Sequence, residues 1–113
     1  MNENDIAGKV IGQALEVHKV FGPGLPESAY KECLAFKLHL TGLGVEKEVA
    51  MPLVFENVKL EYGYRIDLLV GRKVVVEIKS VEALNDVHLA RILTYMKPGN
   101  FRLGLLSTLM FPC

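Results

Sequence analysis

The stretch YRIDLLVGRKVVVEIKS, Tyr64 to Ser80, decides how this chain is read. Two apolar runs flank Gly71, the composition of two β-strands joined by a tight loop. Asp67, Glu77 and Lys79 interrupt residues that otherwise favour burial. Side chains alternate along a strand, so Glu77 and Lys79 share one face while Val74, Val76 and Ile78 line the other. The place of Asp67 depends on the loop. A two-residue loop, Gly71-Arg72, pairs Val70 with Lys73 and sets Asp67 opposite Val76. A three-residue loop, Gly71 to Lys73, pairs Val70 with Val74 and sets Asp67 opposite Glu77. A bulge would correct the parity in the same way.

Two neighbouring carboxylates on a packed sheet repel unless a cation or a proton sits between them. Lys79, one pleat from Glu77, is a partial answer, and a divalent metal is a fuller one. Mg²⁺ prefers oxygen ligands and is usually held by one or two carboxylates, with water and substrate phosphate completing its shell. Such an ion acidifies bound water and neutralises charge developing on a phosphoryl group. Lys79 could then orient the attacking water or stabilise the pentacovalent phosphate as a point charge. A solvated edge strand would show the same three charged letters. The VVV run before Glu77 argues instead for a sheet centre.

Working outward, Ala7, Val10, Ile11, Ala14, Leu15, His18 and Phe21 recur at helical spacing, with Asn4 or Asp5 as cap and Gly22-Pro23-Gly24 as terminator. His18, on an apolar helix face, reads as a hydrogen-bonded core residue. Pro26 suits the first turn of a second helix running to about Thr41, with Ala29, Cys33, Phe36 and Leu40 as its apolar face. Within it GLPESAY places Glu27 and Tyr30 one turn apart on one face, beside Leu34. Taken alone, Glu27 reads as a first-turn acid favoured by the helix dipole.

From Val45 the texture is β-like: VEKEVA, Pro52, LVFE, a turn at Asn57, then VKLEY, with a bulge or bend at Gly63. Asn85 or Asp86 caps a third helix carrying Val87, Leu89, Ile92, Leu93 and Met96, which Pro98-Gly99 stops. FRLGLLSTLMF supplies a last, buried strand. The order is α-α-β-β-β-α-β, with three or four strands in the middle block. It predicts one domain over residues 1–113, an α/β (α+β mixed) fold with helices packed on a central mixed sheet.

Half of the 113 residues are hydrophobic, and the 13 basic side chains equal the 13 acidic ones. That balance is not the footprint of a protein that coats nucleic acid. Residues 57–113 nevertheless hold eight basic and five acidic side chains, against five and eight in residues 1–56, a bias toward an anionic partner in the half with the hairpin. Cys33 and Cys113 form neither a disulfide framework nor a zinc pattern. No apolar run approaches the ~18 residues that span a bilayer, and MNENDIAGK lacks a signal-peptide layout. A cytoplasmic protein without membrane contact is expected.

EVHKVFGPGLPESAYKECL, YRIDLLV, VVVEIKS, HLARILTYMK and LGLL, in that order, resemble the GxxExxY proteins, a branch of the PD-(D/E)XK nuclease superfamily. The resemblance covers nearly the whole chain. It implies a restriction-endonuclease-like core in which a helix precedes a three-stranded antiparallel meander, followed by a helix and a further strand. It also implies a nuclease that uses Mg²⁺ or Mn²⁺ to hydrolyse phosphodiester bonds of DNA or RNA. Asp67 and Glu77 would be metal-binding acids, Lys79 the catalytic lysine and the Ile78 carbonyl a further ligand. Glu27 would be a helix-borne acid facing the site and a possible metal ligand, with Tyr30 its motif companion. Related branches carry Gln-x-x-x-Tyr on the following helix. Here Tyr95 is present but Arg91 stands at the glutamine position, where it can hold a phosphate bidentately or pair with a site carboxylate. His88 lies one turn before Arg91. The end, STLMFPC, also departs from the family pattern of an Asn-Phe pair and a short basic segment, and reads as a truncated or altered tail. The alternative is a catalytically inactive nuclease-fold module that binds nucleic acid or a protein partner. A homodimer or another protein partner would help so small a core to grip nucleic acid.

Overall fold

The computed structural model describes the backbone of residues 1–22, 24–79, 86–99 and 103–108. In chain order these form α1 (Glu3–Phe21), α2 (Glu27–Leu40), β1 (Val45–Phe55), β2 (Val58–Val70), β3 (Val74–Lys79), α3 (Asp86–Gly99) and β4 (Leu103–Thr108). The strands make one mixed sheet in the order β1-β2-β3-β4, antiparallel up to β3 and parallel from β3 to β4. The parallel step requires a crossover, and α3 supplies it. This is the mixed α/β, restriction-endonuclease-like architecture that the sequence predicts.

The sheet is covered on both faces, which is why β3 is apolar throughout its first half. On one side α1 and α2 pack Ile6, Val10, Val17, Tyr30, Leu34 and Leu38 against Leu68, Val70, Val74, Val76 and Ile78. On the other, Ile92 and Met96 of α3 meet Ile66, Leu69, Val75, Val49 and Met51. Leu34, Leu38, Leu68, Val70, Val74 and Val75 are wholly inaccessible to solvent.

Several local expectations are corrected. Asn2 caps α1: its side chain accepts from the Asp5 N–H at 2.9 Å, and the Asp5 carboxylate accepts from the Asn2 N–H at 3.2 Å. That reciprocal box satisfies two otherwise orphaned donors and starts the helix ahead of Asn4. Ile11 and Phe21 are exposed, and Ile6 and Val17 take their places in the core. On α2 the buried face is Tyr30, Leu34 and Leu38, while Phe36 and Leu40 lie in solvent. In α3 Ile92 is the one buried position among the described side chains, and Val87, Leu89 and Leu93 are exposed. Each of these helices carries apolar residues around more than one face, so spacing alone could not choose among faces. The helix α3 ends at Gly99, where the sequence places its stop. The Asn85 cap and the STLMFPC tail beyond Thr108 lie outside the described residues.

β1 runs unbroken through Pro52 as an edge strand, where the missing N–H is tolerated. Opposite it the register steps by two, from Met51–Tyr64 to Leu53–Leu60, so residues 61–63 face Pro52 alone. Gly63 falls inside that bulged stretch, as the sequence suggests.

Candidate active site

The β2–β3 loop settles the position of Asp67. Val70 pairs with Val74 and Leu68 with Val76, so the loop has three residues and Asp67 stands opposite Glu77. Gly71 and Arg72 both have positive φ, 61° and 58°, and the Lys73 N–H closes the turn on the Val70 carbonyl at 3.1 Å. Glycine is favoured at position 71 on two counts, since a Cβ there would also lie 2.8 Å from Cδ1 of the buried Ile6, which would have to shift.

At the acid pair, side chains replace the strand ladder. The Ile78 N–H donates to Asp67 Oδ2 at 2.8 Å, and the Asp67 N–H donates to Glu77 Oε1 at 3.3 Å. Glu77 is 3% exposed. Burial first, and the Asp67 charge second, push its carboxyl up to about 7, against the opposing pull of the Asp67 N–H and the Lys79 charge. Lys79, half-buried at the end of β3, shares its face with Glu77 by alternation.

Strand alternation breaks beside the pair. Leu68 belongs to the α1–α2 core but Ile66 to the α3 core; on β1, Val45 packs on the first and Val49 on the second. Both strands therefore turn over at the same point, where register places Glu48 across from Asp67. Glu48 takes φ 55°, a left-handed conformation in mid-strand for a residue with a Cβ, at a cost of order 1–3 kcal/mol. As a result Lys47 and Glu48, adjacent in sequence, both reach α2. Lys47 pairs with Glu32 at 2.7 Å, and Glu48 accepts a hydrogen bond from Lys31.

Between α2 and the strands lies a cavity of about 190 Å³ lined by Glu27, Ser28, Lys31, Glu48, Asp67 and Ile78. The Lys31 side chain is only 13% exposed. Its hydrogen bond to Glu48, and the charges of Glu48, Asp67 and Glu32, raise its pKa against the cost of burial. Lys31 in turn holds the Glu48 carboxyl below its ordinary range. Sequence reasoning singled out neither residue. The one available signal was spacing: Lys31 follows Glu27 by four residues, so both lie on the helix face turned toward the sheet edge.

The other sequence-predicted residues divide. Glu27 is brought to the same cavity wall as Asp67 and Ile78. Tyr30 is not: it is buried, and its hydroxyl donates to the Ala14 carbonyl of α1 at 3.1 Å. Arg91 is exposed on α3 and makes no ion pair among the described residues. The side chains of Tyr95 and His88 lie outside the described residues. His18 is buried as expected, but its Nε2 has no hydrogen-bond partner among the described residues.

The donor chemistry fits a hard divalent cation. Asp67, Glu77 and the Ile78 carbonyl offer only oxygen, and a buried carboxyl pushed up by a neighbouring carboxylate is a site short of positive charge. Among the described residues, no three His, Cys, Asp or Glu side chains form a ready-made cage. No described helix is long and apolar enough to cross a membrane.

No curated protein and no solved structure matches the chain closely enough to count as a relative. A family model for the PD-(D/E)XK nuclease superfamily matches residues 4–111. With the acid pair, the lysine two residues on and the α-α-β-β-β-α-β order all inside that match, the chain belongs to the PD-(D/E)XK nuclease superfamily.

Proposed function

We propose that this chain is a nuclease of the GxxExxY branch that hydrolyses phosphodiester bonds of DNA or RNA with Mg²⁺ or Mn²⁺. The single observation that carries the reading is the carboxylate pair at the point where β2 and β3 cease to bond main chain to main chain. Asp67 and Glu77 would hold the ion, with the Ile78 carbonyl beside them and Glu27 reaching the same space from α2. When bound, the ion acidifies water and offsets charge on the phosphate being cleaved. The two backbone N–H bonds to the carboxylates fix their orientation before any substrate arrives, which is where electrostatic catalysis gains most. Lys79, sharing the Glu77 face, would position the attacking water and balance the developing negative charge. The tyrosine of the GxxExxY motif has a supporting part: Tyr30 locks α2 onto α1, so that Glu27 one turn earlier is presented to the cavity.

The test is the melting temperature as a function of Mn²⁺ and Mg²⁺, for the wild type and for Asp67→Asn. An ion that binds only the folded chain stabilises it by ~2.7 kcal/mol at a hundredfold excess over its dissociation constant. A rise in the wild type that disappears in the variant supports the site and justifies a substrate search. A flat response in both would turn the reading toward a nuclease fold that binds without cleaving.

A further inference from the structure

The helix α2 carries two apolar stripes, and the fold buries one. Tyr30, Leu34 and Leu38 lie in the core, while Phe36 and Leu40 on the other stripe are 61% and 64% exposed. Cys33, three residues before Phe36, is half-buried. A helix apolar on two sides is suited to being covered on both. From α1, Val20 and Phe21 join the same surface, each more than half exposed. With Val17, Cys33 and Phe36 they line a hollow of about 210 Å³ whose walls come from both helices. Single exposed apolar residues need no explanation, but a contiguous group with two phenylalanines marks a contact surface.

Glu16 of α1 and Lys37 of α2 complete that lining, so it bears one charge of each sign. A sum of zero offers no attraction to a phosphodiester backbone or to an anionic lipid surface. Phe36 also lines a second hollow of about 300 Å³, a polar one in which Glu32 is paired with Lys47. Among the described residues it alone is common to both linings, and so stands as a ridge between them.

We propose that a second copy of the chain docks on this surface about a two-fold axis, with Phe36 of each copy seated in the apolar hollow of the other. A projecting ring beside a hollow is self-complementary under such a rotation. So are the charges, because the rotation sets Glu16 of each copy against Lys37 of the other. Two ion pairs then border an apolar centre, the ordinary anatomy of a specific interface. Within the chain Glu16 pairs with Lys19 at 3.6 Å, both side chains exposed, a weak contact that can be exchanged. The surface is separate from the acid site. Phe36 follows Glu27 by nine residues, about two and a half turns, which puts the two on opposite sides of α2. A dimer formed here leaves the cavity beside Asp67 open in each copy.

Sedimentation velocity of the full chain over a concentration series tests the proposal. The wild type should sediment as a dimer at micromolar concentration, and Phe36→Ala as a monomer. Glu16→Lys and Lys37→Glu each turn both ion pairs into repulsions, so each alone should dimerise about tenfold more weakly. An equimolar mixture of these two variants should dimerise as tightly as the wild type, because every contact again joins opposite signs. The double variant Glu16→Lys/Lys37→Glu should do the same. Rescue by mixing requires two copies of this chain in a two-fold contact, and a surface that served a different protein would not show it. Circular dichroism checks that each variant is folded. A wild type that stays monomeric, a dimer that survives Phe36→Ala, charge variants that dimerise like the wild type, or variants that fail to rescue each other would each overturn the proposal.

Discussion

Asp67 and Glu77 face each other across β2 and β3, and each carboxylate accepts a main-chain N–H: Asp67 that of Ile78 on the opposite strand, Glu77 that of Asp67 itself. Beyond Leu68 and Val76, side chains thus do the bridging that backbone does elsewhere in the sheet. The arrangement exchanges sheet stability for a pair of oriented, half-satisfied oxygens.

The metal-free protein should lose stability as pH rises through the titration of Glu77. The Glu77 carboxyl is raised from 4.5 to about 7 in the folded chain, so between those values the native state binds the extra proton and stability falls with pH. At 1.36 kcal/mol per unit the loss is at most ~3 kcal/mol. Glu77→Gln, neutral at every pH, should remove this slope. Denaturant midpoints of both proteins at pH 5 and pH 8 measure the difference, and equal slopes would refute it.

Replacing Lys79 with alanine should reduce cleavage by a factor on the order of 10²–10³, the usual loss when one charge-stabilising group is removed. Lys79 ends β3 and is only half-buried, so the melting temperature should stay near that of the wild type. Rates with a labelled oligonucleotide, alongside the melt, test both halves. Unchanged cleavage would remove Lys79 from the mechanism.

Tyr30→Phe should act chiefly on stability and change metal affinity only slightly, through the placement of Glu27. It deletes the hydroxyl that donates to Ala14 at 3.1 Å, a loss of about 1 kcal/mol. A large change in Mn²⁺ affinity in this variant would mean that the phenol serves the site directly.

Gly104→Ala should loosen α3. A Cβ at this β4 position would stand 2.8 Å from Sδ of Met96 and 2.9 Å from Cδ1 of Ile92. Ile92 is a buried anchor of α3, so its side chain and that of Met96 must shift, and any part of the clash they cannot absorb lifts the helix, at ~1–3 kcal/mol in all. A melting temperature equal to that of the wild type would show that the side chains give way instead.

The hairpin was legible in the sequence because VVV cannot sit at a wet edge and because a three-residue loop is one of two simple ways to place the acids. The element order followed from glycine and proline punctuation. Lys31 and Glu48 were hidden for a physical reason: VEKEVA reads as an exposed, alternating strand, and the left-handed turn at Glu48 that reverses the alternation has no glycine to announce it. The family resemblance makes Tyr30 a companion of the site, and helical spacing gives its face without giving what that face meets. Phe36 and Leu40 were assigned inward by the same period that in fact buries Leu34 and Leu38.

The two-residue step between the Met51–Tyr64 and Leu53–Leu60 pairs separates the reach of the β1–β2 hairpin from the alignment of the site. Pairs from Val45–Val70 to Met51–Tyr64 keep one register, and those beyond keep another. Insertions or deletions in the outer arm change how far it extends without moving Glu48 from its place across from Asp67. The length of this arm can thus vary while the acids opposite one another at its inner end stay aligned.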